Sequence, residues 1–112
     1  MQRKMRLFGL LCLLSIGLLF PSSALAHKVN VFAYVEDGII YAECYFPDGR
    51  PVAKGQIQVF DSQQQLLLEG ITDAAGLFQF KVPKVADLTL VITASMGHKN
   101  HFLLKKSAFH EE

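Results

Sequence analysis

The stretch from His27 to Phe46, HKVNVFAYVEDGIIYAECYF, decides the fold. Apolar residues alternate with other residues on both sides of its Asp37-Gly38 pair, and a period of two is typical of a half-buried strand. Asp-Gly between two such runs predicts a type I′ turn, because both central residues of that turn need positive φ. We therefore predict two antiparallel strands joined at this turn.

The turn also sets the register of the predicted hairpin, because the numbers of paired residues then sum to 75. Val31 is placed opposite Cys44, on a face where every pair is apolar. A slip of one residue would carry polar partners to that face, so this register is favoured. Cys44 is therefore predicted to point inward as a small buried hydrophobe rather than as a reactive or metal-binding thiol. The same register places His27 opposite Asp48.

The opposite face of the hairpin carries an aromatic stripe. Its members are Phe32, Tyr34, Tyr41 and Tyr45. Cross-strand aromatic pairs stabilise sheets, and exposed apolar patches mark contact surfaces. We expect a second-sheet or interface contact here rather than a ligand platform.

The rest of the chain alternates between short strand-like runs and turns, with no helical period and no internal repeat. Seven short strands predict an all-β protein, a single small β-sandwich of the immunoglobulin-like or prealbumin-like kind. The five further strands are expected at residues 56–61, 66–70, 77–82, 88–94 and 101–104, with turns at 62–65, 72–76 and 97–100.

Residues 1–26 have the three parts of a secretory signal peptide. Basic residues come first, an apolar run covers residues 7–20, and small residues end at Ala26. Cleavage after Ala26 makes His27 the first residue of the exported protein. The sandwich domain is then expected at residues 27–106, followed by a polar tail at 107–112.

Removal of the signal peptide changes the charge and cysteine balance. Three of the 11 basic residues leave with it, so eight remain against 10 acidic residues. A slightly acidic chain predicts neither a nucleic-acid partner nor an anionic membrane surface. Cys44 becomes the single cysteine, so no intramolecular disulfide is expected. The processed protein is predicted to be soluble and periplasmic.

The chemistry-bearing residues are histidines, since no nucleophile elbow or phosphate-binding glycine loop occurs and the protein is predicted not to be an enzyme. An N-terminal His27 can chelate one metal ion through its α-amine and its ring Nδ1. Such nitrogen ligands suit nickel, cobalt, copper and zinc, and a tetragonal nitrogen set favours nickel or copper. His98, in a predicted turn, is the expected third ligand.

Each remaining candidate for metal binding also has an ordinary structural explanation. His101 stands three residues after His98, so a continuous strand would put the two on opposite faces. We include His101 in the predicted metal site on the condition that a turn at 97–100 brings both histidines to the same side. His110 in the tail is expected to be incidental, Met96 to be packing with an axial ligand as the alternative, and Asp48 to be an ordinary turn residue.

Three stretches of the chain resemble one family. They are AHKVNVFAYVEDGIIYAECYFPDGRPV from Ala26, VFDSQQQLLLEGITDAAGLFQF from Val59 and ASMGHKNHFLL from Ala94. Together they resemble the NikL-type accessory component of energy-coupling-factor nickel and cobalt transporters. The middle stretch is also similar to carboxypeptidase-regulatory or transthyretin-like sandwiches, which bears on the fold alone.

The resemblance implies a periplasmic protein that binds nickel, with cobalt or copper as alternatives, beside the membrane components of such a transporter. It implies His27 and His98 as metal ligands and does not extend to His101 or His110. Relatives of this kind often carry a C-terminal membrane helix, which the sequence to Glu112 lacks. Two other readings stay open: an interaction module that docks through the aromatic stripe, and a periplasmic copper carrier or copper redox enzyme with an N-terminal histidine.

Overall fold

The computed structural model describes residues 28–111. The predicted signal peptide at residues 1–26 and His27 lie outside the described residues, as does Glu112. Two 3-10 helices, η1 (Ser95–Gly97) and η2 (Lys106–Glu111), accompany the strands. The seven strands are β1 (Asn30–Glu36), β2 (Ile39–Tyr45), β3 (Gln56–Phe60), β4 (Leu66–Ile71), β5 (Leu77–Lys81), β6 (Leu88–Thr93) and β7 (Lys99–Leu104).

The strands form two antiparallel sheets, which confirms the predicted small β-sandwich. One sheet has the order β1-β2-β5 and the other has the order β4-β3-β6-β7. The inward residues of the two sheets meet in one core, as the alternating burial of strands such as β2 and β6 shows. Among residues 28–111, no helix is long and apolar enough to cross a membrane.

The first hairpin has the predicted turn and register. Asp37 has φ 52° and Gly38 has φ 77°, so both central residues are left-handed as a type I′ turn requires. Val31 pairs with Cys44 and Asn30 pairs with Tyr45, which keeps the apolar face of both strands inward. Cys44 is buried, as predicted.

The core is apolar on both sheets. Its largest fully buried side chains come from five different strands or loops, so the two sheets interdigitate rather than merely touch. They are Val29, Ile40, Cys44, Val52, Ile57, Val59, Leu88, Leu90 and Ile92.

Two polar side chains in this interior have hydrogen-bond partners. The Oγ1 atom of Thr72 accepts from the backbone N–H of Gly55 at 2.7 Å and donates to the carbonyl oxygen of Val52. Asp61 accepts from backbone N–H groups of the turn that follows it and from Lys84. Burial of polar groups without partners would be costly, so these bonds allow the loops to close over the core.

The last quarter of the domain differs from the prediction in two places. β7 begins at Lys99 rather than His101, because residues 94–98 close a tighter turn than expected. The residues after Ser107 do not form a polar tail: η2 turns back onto the sandwich, and Phe109 joins the core at 9% exposure. A single aromatic residue in a short polar stretch has no period to reveal this packing in the sequence.

Candidate functional site

The starts of β1 and β7 lie side by side at one end of the sandwich. The side-chain Nδ2 of Asn100 donates a hydrogen bond to the carbonyl oxygen of Val29 at 2.8 Å. Further along both strands the Phe32 and Phe102 rings meet edge to face, with centroids 5.4 Å apart. The two contacts occur in the same order along each strand, so β1 and β7 run in the same direction. We call the place where both begin the β1–β7 end.

His98 is held at the β1–β7 end by a tight turn between β6 and β7. The N–H of Ala94 donates to the carbonyl oxygen of His98 at 2.7 Å, and the N–H of Gly97 donates to the carbonyl oxygen of Ala94 at 3.2 Å. Gly97, at φ 78°, supplies the left-handed conformation that this closure needs. The His98 ring is half-buried and its Nε2 atom is shielded from solvent.

Met96 occupies the tip of the same turn and does not pack against the protein. Its side chain is 87% exposed, so the packing expected from the sequence is wrong. Its φ of 62° places a long side chain in the left-handed region, where residues other than glycine are uncommon. The turn therefore presents a thioether to solvent two residues before His98.

His101 does not share the β1–β7 end with His98. It lies inside β7 and its side chain is exposed, whereas the neighbouring Asn100 reaches across to β1. The N–H of His101 donates to Oδ1 of Asn100 at 2.8 Å, which helps to orient that amide. The condition for a joint site, a turn through residue 100, is not met because the strand already runs from Lys99.

Asp48 has an ordinary structural role, as the sequence indicated. It accepts hydrogen bonds from the backbone N–H and the Nε of Arg50, at 3.0 and 2.7 Å. These bonds, the backbone one first, hold the pKa of its carboxyl below the usual value. The guanidinium of Arg50 also lies 4.8 Å from the centre of the Phe46 ring. Both oxygens of Asp48 are therefore engaged by one residue.

Cys44 is not a candidate ligand. Burial raises the pKa of its thiol to about 12, so the protein at neutral pH carries it protonated. Its side chain faces the core and is 2% exposed. A metal ion has no approach to this sulfur without opening the sandwich.

The described part of the chain contains no group of three histidine, cysteine, aspartate or glutamate side chains placed to hold a metal ion. Among the described residues, the imidazole at the β1–β7 end is that of His98. His27, the other predicted metal ligand at this end, lies outside the described residues.

The predicted aromatic stripe lies on the outer face of the three-stranded sheet. Tyr34 and Tyr41 stack with centroids 5.3 Å apart and planes 13° from parallel. Phe32 lies 6.0 Å from Tyr34, and Phe102 extends the row from the other sheet. Phe102 was missing from the predicted stripe, since it comes from a strand 70 residues later.

Comparison with known proteins places the chain beside one relative. An uncharacterized protein of Haemophilus influenzae is 31% identical over 98 residues, which cover 85% of this chain and 60% of that protein. The chain thus spans about 60% of the length of the relative it matches. No family model matches the chain. No solved structure matches it.

Proposed function

We propose that the protein binds one nickel ion at the β1–β7 end and delivers it to a membrane importer. The observation that carries the proposal is the hydrogen bond from Asn100 to Val29. Two extended residues span at most about 7 Å. An N-terminus at His27 and the ring of His98 each lie two residues from one end of this bond. The bond therefore supports a shared site between groups 71 residues apart in sequence.

The donors fit the chemistry of a nickel site. A free His27 offers an α-amine and an imidazole nitrogen, and His98 offers a second imidazole. The α-amine has an ordinary pKa near 8, so a useful fraction is unprotonated at neutral pH and protons compete with the metal. Nitrogen donors suit nickel, cobalt and copper, and the position left by three protein ligands is open to water or to a receiving protein.

Export is the premise of this site. The α-amine becomes a ligand when a signal peptidase cuts after Ala26, and the basic, apolar and small-residue order of residues 1–26 favours that cut. The periplasm is then the proposed location. The membrane components of an energy-coupling-factor nickel or cobalt transporter are the proposed recipients, on the resemblance of the stretches that begin at Ala26 and Ala94.

The test is a nickel titration of the secreted, processed protein whose first residue is verified as His27 by intact mass. The same titration is run on a form with one extra N-terminal alanine, on His98→Gln and on His101→Gln. We expect one nickel per protein, with affinity lowered at least tenfold by the added alanine and by His98→Gln. His101→Gln is the matched control and should bind as the parent does. Equal binding by the parent and the alanine form would overturn the proposal.

Copper is the second candidate because Met96 exposes a thioether beside His98. Thioethers are soft ligands that select Cu(I), whereas nickel prefers nitrogen ligands such as imidazole. The discriminating measurement is Cu(I) binding by the parent and by Met96→Leu under reducing conditions. A loss of Cu(I) affinity in Met96→Leu, with Ni(II) affinity unchanged, would assign the turn to copper. Equal Cu(I) binding by both would show that Met96 is not a copper ligand and would remove the observation that favours copper.

A further inference from the structure

The outer face of the three-stranded sheet keeps large rings in solvent although the core is complete without them. Phe32 is 45% exposed, Tyr34 is 38% exposed and Tyr45 is 41% exposed. The inward positions of the same strands are filled by residues such as Val31 and Ala42. Stacking between neighbouring rings stabilises their arrangement but leaves much of their surface in water. Exposed apolar clusters of this kind mark contact surfaces.

Carboxylates lie among these rings. Glu43 pairs with Phe32 across β1 and β2, and a shallow cleft between Glu43, Tyr34 and Tyr41 continues to β5. Glu36 ends the same face of β1. Burial, then the charge of Glu43, then that of Glu36 raise the pKa of the Tyr34 hydroxyl, so both carboxylates act at the centre of the ring cluster. We call Phe32, Tyr34, Tyr41, Tyr45, Glu36 and Glu43 the aromatic–acidic face.

The cations of this sheet stand at its margins. Lys28 precedes β1, and Lys81 ends β5, at the far edge of the sheet. Within residues 28–111, neither lysine forms a salt bridge with Glu36 or Glu43. Lys81 lies in the cross-strand row of Ile39 and Glu36, and the row of Tyr34, Tyr41 and Gln79 separates it from Glu43. The middle of the face therefore combines negative charge with exposed rings.

We propose that the aromatic–acidic face is a docking surface for an arginine-bearing segment of a partner protein. A guanidinium can lie against an aromatic ring while its N–H groups donate to a carboxylate, which an ammonium does less well. The protein itself shows this combination: Arg50 lies 4.8 Å from the Phe46 ring centre and donates to Asp48 at 2.7 Å. The aromatic–acidic face also offers rings beside carboxylates, and its strands β1, β2 and β5 contain no arginine.

Intrinsic tyrosine fluorescence can report binding at the aromatic–acidic face. The sequence has three tyrosines and no tryptophan, and Tyr34, Tyr41 and Tyr45 all belong to the face. The intrinsic fluorescence of the processed, metal-free protein is therefore titrated with an octapeptide of alternating arginine and glycine. The control peptide carries citrulline in place of arginine, which keeps the shape and removes the charge. Far-ultraviolet circular dichroism verifies that each variant is folded.

We expect a saturable fluorescence change with the arginine peptide, weaker in high salt, and none with the citrulline peptide. Glu43→Gln and Glu36→Gln should each lower the affinity several-fold. Glu69→Gln, on the outer face of the other sheet, is the matched control and should bind as the parent does. The proposal would be overturned by the absence of a saturable change or by equal binding of the citrulline peptide. It would also be overturned if Glu43→Gln and Glu36→Gln both bound the arginine peptide as Glu69→Gln does. The metal site plays no part in this experiment, so its outcome is independent of the proposed function.

Discussion

The amide of Asn100 holds the carbonyl oxygen of Val29 at 2.8 Å, and this bond joins the first strand of the domain to the last. β1 and β7 are edge strands of different sheets, so the ladder bonds of neither sheet connect them. The Asn100 side chain supplies the connection at the β1–β7 end, and the Phe32–Phe102 contact supplies it further along. The proposed site depends on the first of these links.

Asn100→Leu should lower nickel affinity about tenfold or more, the size of effect found when a residue that orients metal ligands is lost. Leucine keeps the branch at Cγ but removes the donor, so this hydrogen bond no longer ties the start of β1 beside His98. The lost hydrogen bond should cost about 1 kcal/mol of unfolding free energy. Nickel titration and urea unfolding of the same samples separate the two effects.

Gln56→Leu is the matched control for Asn100→Leu, because it removes an exposed side-chain amide on β3. The Nε2 atom of Gln56 lies 3.4 Å from Oε1 of Glu69. It should leave nickel affinity unchanged. An Asn100→Leu protein that binds nickel as tightly as the parent would show that the bond is structural alone.

The Cys44 thiol should resist alkylation in the folded protein. Its pKa of about 12 follows from burial, so at pH 8 the thiolate is about one molecule in ten thousand. We expect iodoacetamide to label the processed protein at a rate that rises with urea in step with unfolding, as followed by intact mass. Complete labelling within minutes in native buffer would contradict an inward, core-packed cysteine.

Gly76→Ala should destabilise the protein far more than Gly38→Ala. Both glycines have positive φ, at 79° and 77°, so either alanine adopts an unfavourable backbone conformation that costs about 1 kcal/mol or more. At Gly38 the added methyl group meets open space, whereas at Gly76 it collides with the backbone carbonyl oxygen of Cys44. The difference in urea unfolding midpoint measures that collision. Equal midpoints would mean that the turn before β5 yields without cost.

Asp61 should make stability depend on acid pH. Hydrogen bonds from the backbone of Gln65, then from Lys84 and the backbone of Gln63, hold its pKa below the usual value although burial opposes them. A lowered folded pKa adds stability that is fully present above the unfolded value near 4 and is lost as pH falls through the folded value. Asp61→Asn should therefore be less stable at pH 7 and show a flatter loss of stability below pH 4.

Urea unfolding between pH 2 and pH 7 tests the role of Asp61. Asp37→Asn is the matched control, because Asn-Gly also forms a type I′ turn. An acid dependence in Asp61→Asn as steep as in the parent would assign the loss of stability to other carboxyl groups.

The limits of sequence reasoning follow from the distance between interacting residues. The first hairpin was predictable down to the pairing of Val31 with Cys44, because a two-residue turn fixes a local register. The place of His98 in a turn was predictable from Gly97, whereas its role as a metal ligand stays a prediction from its chemistry. The role of Asn100 was not visible, because its partner lies 71 residues away and a polar residue before a strand reads as part of a turn.

Phe109→Ala tests the packing of η2, which the sequence analysis had predicted to be a polar tail. Phe109 is 9% exposed in the core, so its truncation leaves a cavity and should cost about 3 kcal/mol of unfolding free energy. Phe32→Ala removes the same atoms from a ring that is 45% exposed, and its loss should be clearly smaller. Urea unfolding of the two variants gives the comparison. A Phe109→Ala protein as stable as Phe32→Ala would mean that residues 106–111 contribute little to the sandwich, whereas the expected gap extends the folded domain beyond residue 106.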